Sequence, residues 1–83
     1  MGRRSKGETA IPYAPFERIL RQEGAYRVSE DAVRRLHDFI EKISRELARE
    51  SIELASHAGR RTVTGVDIEM AVKRFLKRFT VPF

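Results

Sequence analysis

Apolar residues recur at intervals of three and four in three stretches of the chain, and this spacing predicts three amphipathic helices. The first stretch is short and carries Phe16, Ile19 and Leu20. Pro15 suits its first turn, where a missing backbone N–H does no harm, and Gly24 is a natural C-terminal stop. The sequence therefore predicts a short first helix that ends at Gly24.

The second stretch is much longer and starts after Ser29, whose hydroxyl can accept a backbone N–H as an N-cap. The next helix breaker is Gly59, which predicts one helix of about 28 residues and roughly 42 Å. Val33 and Phe39 widen the apolar stripe of this helix, and Ser51 fills its one wide gap. The other stripe positions are Leu36, Ile40, Ile43, Leu47, Leu54 and Ala58. Two short helices cannot cover so long an apolar face, so we expect a second molecule to cover it.

A brief loop from Arg60 to Val63 leads into the third stretch. Thr64 and Asp67 have the spacing of a capping box, in which each side chain satisfies a backbone N–H of the other residue. Pro82 marks the end of the helix. The helical spacing in between is carried by Ile68, Ala71, Val72, Phe75 and Phe79. The predicted fold class is all-α, in the order short helix, long helix, short helix.

The size and charge of the chain sharpen the expectation of a partner. Its 83 residues are enough for one domain but bury little core, and without cysteine no disulfide or thiolate metal site can add stability. The formal net charge is +5, yet residues 29–58 are net acidic, so the positive excess lies in the loops and chain ends. Most of the basic residues are arginine, which favours phosphate as a partner. The alternative is a solvated surface of Arg–Glu pairs.

Several classes of function are excluded by what the sequence lacks. No apolar run approaches the ~18 residues of a membrane span and no signal peptide is recognisable, so we expect a soluble intracellular protein. His37 and His57 have no further ligand at metal-binding spacing, and no serine lies in a nucleophile motif. We therefore predict no catalytic residue, no metal, no cofactor and no enzymatic activity. His57 also suits a helix C-terminus, and core packing explains Phe75 and Phe79 better than base stacking does.

Four segments occur together at a specific spacing: Pro12-Tyr13-Ala14-Pro15-Phe16-Glu17-Arg18-Ile19, Gly24-Ala25-Tyr26-Arg27-Val28-Ser29, His57-Ala58-Gly59-Arg60-Arg61-Thr62-Val63 and Asp67-Ile68-Glu69-Met70-Ala71. Together they resemble the archaeal histones over residues 11–76. The resemblance implies the histone fold, in which two chains clasp head to tail as an obligate homodimer with their long helices crossing. We expect a flexible basic N-terminal tail at residues 1–11, a histone-fold domain at 12–76 and a C-terminal extension at 77–83.

The resemblance also implies a DNA-contacting surface, because in archaeal histones the first loop of one chain lies beside the second loop of its partner. By position, Arg27 in the first loop and Arg61 and Thr62 in the second would hold phosphates. Arg18 and Arg21 on the first helix would face the duplex, with Arg18 directed into the minor groove. The alternative for Arg18 and Arg21 is an ordinary exposed helix face.

Further residues match structural positions of the family. Arg60 and Asp67 correspond to an intrachain ion pair that braces the second loop. The surface through which family dimers join into longer assemblies corresponds to Leu54, His57, Asp67 and Met70. Asp67 would then serve both contacts, bonding Arg60 within the chain and His57 across the assembly.

Two features qualify the resemblance. Gly24 matches a position where a small residue lets neighbouring turns of a wrapped fibre approach, although helix capping explains it equally well. The C-terminal extension is unusual and adds Phe79, Val81 and Phe83, which need cover from their own dimer or from another one.

The expected function is an architectural protein that bends, wraps and compacts double-stranded DNA through its backbone with little sequence specificity. The alternative is a histone-fold interaction module, part of a heterodimer or tetramer, with weak or bridging DNA binding. The expected partners are double-stranded DNA and a second copy of the chain, in a dimer that can grow to a tetramer or larger on DNA, with room for other histone paralogues and none for a membrane. The expected location is the cytoplasm, on the chromosome.

Overall fold

The structure, a computed structural model, describes residues 9–79. This part of the chain forms three α-helices: α1 (Ala14–Gln22), α2 (Glu30–His57) and α3 (Gly65–Arg78). No strand occurs between residues 9 and 79. The predicted all-α class is confirmed, as is the order of a short, a long and a short helix.

The helices begin at the residues whose side chains can satisfy free backbone N–H groups. At the start of α2, Ser29 Oγ accepts the N–H of Ala32 at 3.0 Å. At the start of α3, Thr64 and Asp67 form a capping box, and the Thr64 N–H donates to Asp67 Oδ2 at 2.8 Å. α1 carries its proline in the first turn. These local signals fix where each helix begins independently of any partner.

Both loops follow a glycine that ends a helix in the same way. After α1, Gly24 has φ +114° and its N–H donates to the carbonyl of Arg21 at 3.1 Å. After α2, Gly59 has φ +75°, while the N–H of Arg60 returns to the carbonyl of Ala55 at 2.9 Å. This is the Schellman arrangement, which needs a positive φ that glycine adopts without strain. The direction in which each loop leaves its helix is therefore set by the backbone.

The chain divides into two compact units, residues 1–42 and 43–83, and the division falls within α2. In the first unit the buried side chains are Phe16 from α1 and Val33 and His37 from α2. An imidazole thus occupies a core position between apolar neighbours along the helix.

The second unit is built around small and polar buried side chains. Ser51 and Ala55 from α2 and Asp67 and Ala71 from α3 are buried. The Ser51 hydroxyl donates to the carbonyl of Ala48 at 2.9 Å, so the serine in the gap of the apolar stripe is buried without losing its hydrogen bond. Among the described residues, every buried side-chain nitrogen and oxygen has a partner.

Many large apolar side chains remain exposed in the single chain. They include Ile19, Tyr26, Phe39, Ile52, Val66, Leu76 and Phe79. A monomer in water rarely shows so many, and such a surface marks an interaction site. The exposed side chains on α2 agree with the expectation that this helix needs a second molecule.

The two ends of the chain are described in part. Residues 1–8 and 80–83 lie outside the described residues, and with them most of the predicted tail, the predicted stop at Pro82, and Val81 and Phe83. Residues 9–11, which the predicted domain division places in the tail, are bonded to α2, because the Ala10 N–H donates to Glu41 Oε2 at 3.2 Å. At the other end α3 continues to Arg78, so the predicted extension starts as helix.

Candidate nucleic-acid interface

Three of the predicted DNA-contacting residues lie in the first unit. Arg18 on α1 and Arg27 in the loop after it are exposed. Arg21 is also exposed but is engaged with Glu17 one turn earlier, with its Nη2 3.1 Å and its Nε 3.2 Å from Glu17 Oε2. Arg18 and Arg27 therefore present their charges to solvent, whereas Arg21 must give up a carboxylate before it can bind a phosphate.

The second loop is braced by a two-pronged ion pair. Arg60 Nη1 and Nη2 donate to Asp67 Oδ2 and Oδ1, each at 2.9 Å. Arg60 Nη1 also donates to the carbonyl of Thr62 at 2.9 Å. A planar guanidinium matches a carboxylate in this geometry, which adds direction to the attraction between charges. One side chain thus joins the end of α2, the loop and the start of α3.

Asp67 is the acceptor on which this brace depends. Its residue is only 2% exposed, and its carboxylate accepts hydrogen bonds from Arg60 and from both the backbone and the hydroxyl of Thr64. The Arg60 guanidinium, followed by the Thr64 N–H, holds the pKa of Asp67 well below its usual range, against the opposing effect of burial. The same pair raises the pKa of Arg60. The brace is therefore fully charged at neutral pH.

Arg61 and Thr62, the other two predicted contacts, lie in this braced loop. Both are exposed, and the carbonyl of Thr62 is held by Arg60. Arg61 lies between a residue whose guanidinium is fixed and a residue whose backbone is fixed. Its backbone position is thus ordered before any ligand arrives, which lowers the entropic cost of binding.

The residues predicted to join one dimer to another all lie in the second unit. Leu54 is half-buried, and His57 and Met70 are exposed. Asp67 differs from them because it is buried and its carboxylate is occupied within its own chain. A role for Asp67 across an assembly stays a prediction, and it would have to use Oδ1, which accepts fewer bonds than Oδ2 does.

Sequence reasoning missed the polar cluster around His37 in the first unit. The His37 ring contacts Thr9, Ile11, Asp38 and Glu41 through its two nitrogens. The available signal was its register, because it follows Val33 by four residues on the inward face of α2. What the pattern could not show is that residues 9–11 return to meet it.

It also missed the ties between α3 and α2 in the second unit. Arg74 Nη1 lies 3.3 Å from Glu50 Oε2, and Arg78 lies 3.4 Å from Glu50 and 3.8 Å from Glu46. Arg78 also lies over the ring of Phe75, at 5.6 Å from its centre. Two arginines of the basic C-terminal helix are therefore partly neutralised by α2.

Two classes of site are absent from residues 9–79. No three histidine, cysteine or acidic side chains in this part are grouped so that they could hold a metal ion. None of its helices combines the length and apolar character needed to cross a membrane.

A short, a long and a short helix, joined by two tight loops of which the second is braced by an Arg–Asp pair, define a histone-fold protein. The family model described as "Histone-like transcription factor (CBF/NF-Y) and archaeal histone" matches residues 9–72. The chain therefore belongs to this family of histone-like transcription factors and archaeal histones, whose members are DNA-binding proteins of chromatin and not enzymes.

Two curated proteins illustrate the similarity. One of the subunits of the archaeal histone HAN1 of Thermococcus zilligii is 44% identical over 63 residues, which are 76% of this chain and 94% of that protein. The probable archaeal histone 3 of Methanocaldococcus jannaschii is likewise 44% identical over 63 residues, with the same coverage.

Proposed function

We propose that the chain forms a homodimer that bends and compacts double-stranded DNA by holding its phosphates, with little dependence on base sequence. The observation that carries this proposal is the placement of exposed arginines in the two loops, at Arg27 and Arg61, beside a loop brace that is satisfied within the chain. Each loop leads into a helix N-terminus, where free N–H groups favour phosphate.

The division of labour among the arginines supports this proposal. Arg60 is bonded to Asp67, and Arg74 and Arg78 to glutamates of α2, so these three serve the fold. Within residues 9–79, no carboxylate is seen to pair with Arg27 or Arg61, and both are exposed. Loop arginines of this kind contact the DNA backbone, which gives affinity without sequence information.

The homodimer is supported by the apolar surface that the single chain leaves exposed. Phe39 and Ile52 on α2 are more than half exposed. Two copies that crossed along α2 would cover the same residues on both chains, which is how a two-fold interface works. The pairing would also bring two sets of loop arginines into one particle.

Duplex binding measured over a range of salt concentrations tests this function. For a dimer, the double variant Arg27→Ala/Arg61→Ala removes four phosphate contacts, so the slope of log K against log salt should become shallower by roughly 3 to 4, at about 0.9 per contact. The loss should be nearly the same for unrelated duplex sequences, because phosphate contacts carry no sequence information.

The matched control is Arg35→Ala/Arg49→Ala, which removes the same charge from exposed positions on α2. This control should keep most of the slope. If the two double variants lower the slope equally, net charge and not the loops carries the binding, and the proposed interface is wrong. A strongly sequence-selective loss would also contradict the proposal.

A second candidate function is a histone-fold interaction module that pairs with a different chain. The exposed apolar side chains on α2 favour pairing without fixing the identity of the partner. The Thermococcus zilligii relative is named as one of several subunits, which fits this candidate. Sedimentation of the purified chain separates the two: a stable dimer that retards duplex DNA supports the architectural function, and a chain that folds only with another protein supports the module.

A further inference from the structure

The His37 side chain is buried where three parts of the first unit meet, and its residue is only 1% exposed. From α2 itself it faces the carboxylates of Asp38 and Glu41. The residues just before α1 pass over it, and we call this segment, Thr9–Ile11, the strap. None of these contacts belongs to the candidate DNA interface.

Both nitrogens of the His37 ring face groups that only accept hydrogen bonds. Nδ1 lies 2.9 Å from Asp38 Oδ1, and Nε2 lies 2.7 Å from the carbonyl oxygen of Ile11. A neutral imidazole has one N–H and one lone pair, whereas an imidazolium has two N–H groups. Both contacts are hydrogen bonds only when the ring is protonated, so this geometry fits the charged form.

Aromatic rings cover the remaining surface of the imidazole. Tyr13 is tilted over it, with ring centres 4.1 Å apart, and Phe16 meets it edge to face at 5.5 Å. Aromatic faces attract a cation. The same rings shield the imidazole from water, which strengthens its bonds to Asp38 and Ile11.

The strap is held by the same carboxylate that faces the imidazole. Glu41 Oε1 lies 3.3 Å from His37 Nε2 and also accepts the hydroxyl proton of Thr9, while Glu41 Oε2 accepts the Ala10 N–H at 3.2 Å. The Thr9 hydroxyl is itself 2.9 Å from His37 Nε2. The charge of one ring therefore affects each hydrogen bond between the strap and α2.

We infer that His37 is a pH-sensitive clasp, whose imidazolium form holds the strap against α2 and whose neutral form releases it.

Deprotonation breaks the clasp at a defined place. If the neutral ring keeps its proton on Nδ1 for Asp38, the lone pair of Nε2 points at the carbonyl oxygen of Ile11, and two acceptors repel each other at that distance. The Thr9 hydroxyl can turn to donate to Nε2, but it then no longer donates to Glu41. In either case the strap loses hydrogen bonds to α2.

The direction of the pH effect follows from the neighbours of the ring. The bond to Asp38 raises the pKa of His37 above its ordinary value, with smaller contributions from the Ile11 carbonyl and the charge of Glu41, and burial opposes them. Because the folded value lies above the unfolded one, the strap is fully held below about pH 6.5 and is lost as the pH rises through the folded value.

A pH titration of the full chain by NMR tests the clasp, with the His37 ring and the Ala10 amide followed together from about pH 5 to pH 9. After correction for intrinsic exchange, protection of the Ala10 amide should fall with the same midpoint as the ring titrates. The fall should be about tenfold for each unit by which the pKa of His37 exceeds that of a free imidazole. In His37→Gln this midpoint should vanish, and in the control His57→Gln, at an exposed histidine, it should remain.

Asp38→Asn gives a second test that keeps the imidazole in place. Asp38 is largely exposed and lies beside His37 on α2, so the variant should fold and shift both midpoints to lower pH together. The clasp is wrong if Ala10 keeps its midpoint in His37→Gln, or if the strap stays protected while the ring titrates. A His37 ring that titrates below free imidazole also overturns it.

Discussion

Phe39 offers the sharpest test of whether a second copy covers the long helix. This phenylalanine lies on α2 and is 61% exposed in the single chain. In the homodimer that we propose, the partner covers its ring. We therefore expect Phe39→Ala to weaken association of the two chains much more than it alters the chain itself.

The size of the effect follows from the area at stake. A phenylalanine presents about 200 Å² of surface, so the exposed part is about 120 Å², which is worth about 3 kcal/mol per copy at 25 cal/mol per Å². A dimer has two copies, so the upper bound is about 6 kcal/mol, or about four decades in the dissociation constant. Alanine is the better helix former by a few tenths of a kcal/mol, and this small gain opposes the loss.

Sedimentation equilibrium and the dependence of Tm on protein concentration measure this effect, because a dimer that folds on association melts higher at higher concentration. Arg49→Ala is the matched control, since it truncates an exposed side chain of the same helix that has no apolar surface to bury. It should stay within about 0.5 kcal/mol of the parent chain. If Phe39→Ala dissociates no more readily than Arg49→Ala, the dimer does not use this face of α2.

Three further predictions concern the residues that shape the helix ends. Gly24→Ala should lower the free energy of unfolding by about 1–2 kcal/mol, because φ is +114° at this residue although a Cβ would meet nothing within 4 Å; thermal melting checks it. Ser29→Ala should lower the same quantity by about 1 kcal/mol through loss of the cap on α2, and Ser29→Asp should restore it in denaturant unfolding. Asp67→Asn should weaken the dependence of stability on acid: the folded pKa of Asp67 is lowered, so its contribution is present above about pH 4 and is lost as the pH falls. An acid titration of unfolding that is unchanged in Asp67→Asn would contradict this assignment.

The helices could be predicted from the sequence because their signals are local. Ser29 and Gly59 bound the long helix through hydrogen bonds to residues within one turn, and the Thr64–Asp67 capping box needs only its own spacing. Each signal acts within a few residues, so it survives whatever the rest of the chain does. Folding to a short, a long and a short helix is therefore written in the chain at close range.

The site could be predicted only in part, because position along the chain does not reveal which charges are already used. Arg21 and Arg61 have the same chemistry in the sequence, yet Arg21 is engaged by Glu17, whereas Arg61 shows no such contact within residues 9–79. The contacts of His37 with Thr9 and Ile11 join residues far apart in sequence, so no periodic pattern contains them. Resemblance to a family supplied candidate positions, and the structure was needed to separate engaged side chains from available ones.

The engaged and available charges together suggest how a small chain can hold DNA and stay folded. Unpaired cations gathered in one place repel each other, which costs stability before any DNA is bound. Here Arg60 is neutralised by a buried carboxylate and fixes the loop backbone by its bond to Thr62, while its neighbour Arg61 carries the exposed charge. One arginine thus orders the loop and the next is left for phosphate, so ordering and binding do not compete for the same side chain. Arg21 is the opposite case, since any bond it makes to DNA replaces its bond to Glu17, and we expect it to add less to affinity than Arg27 or Arg61.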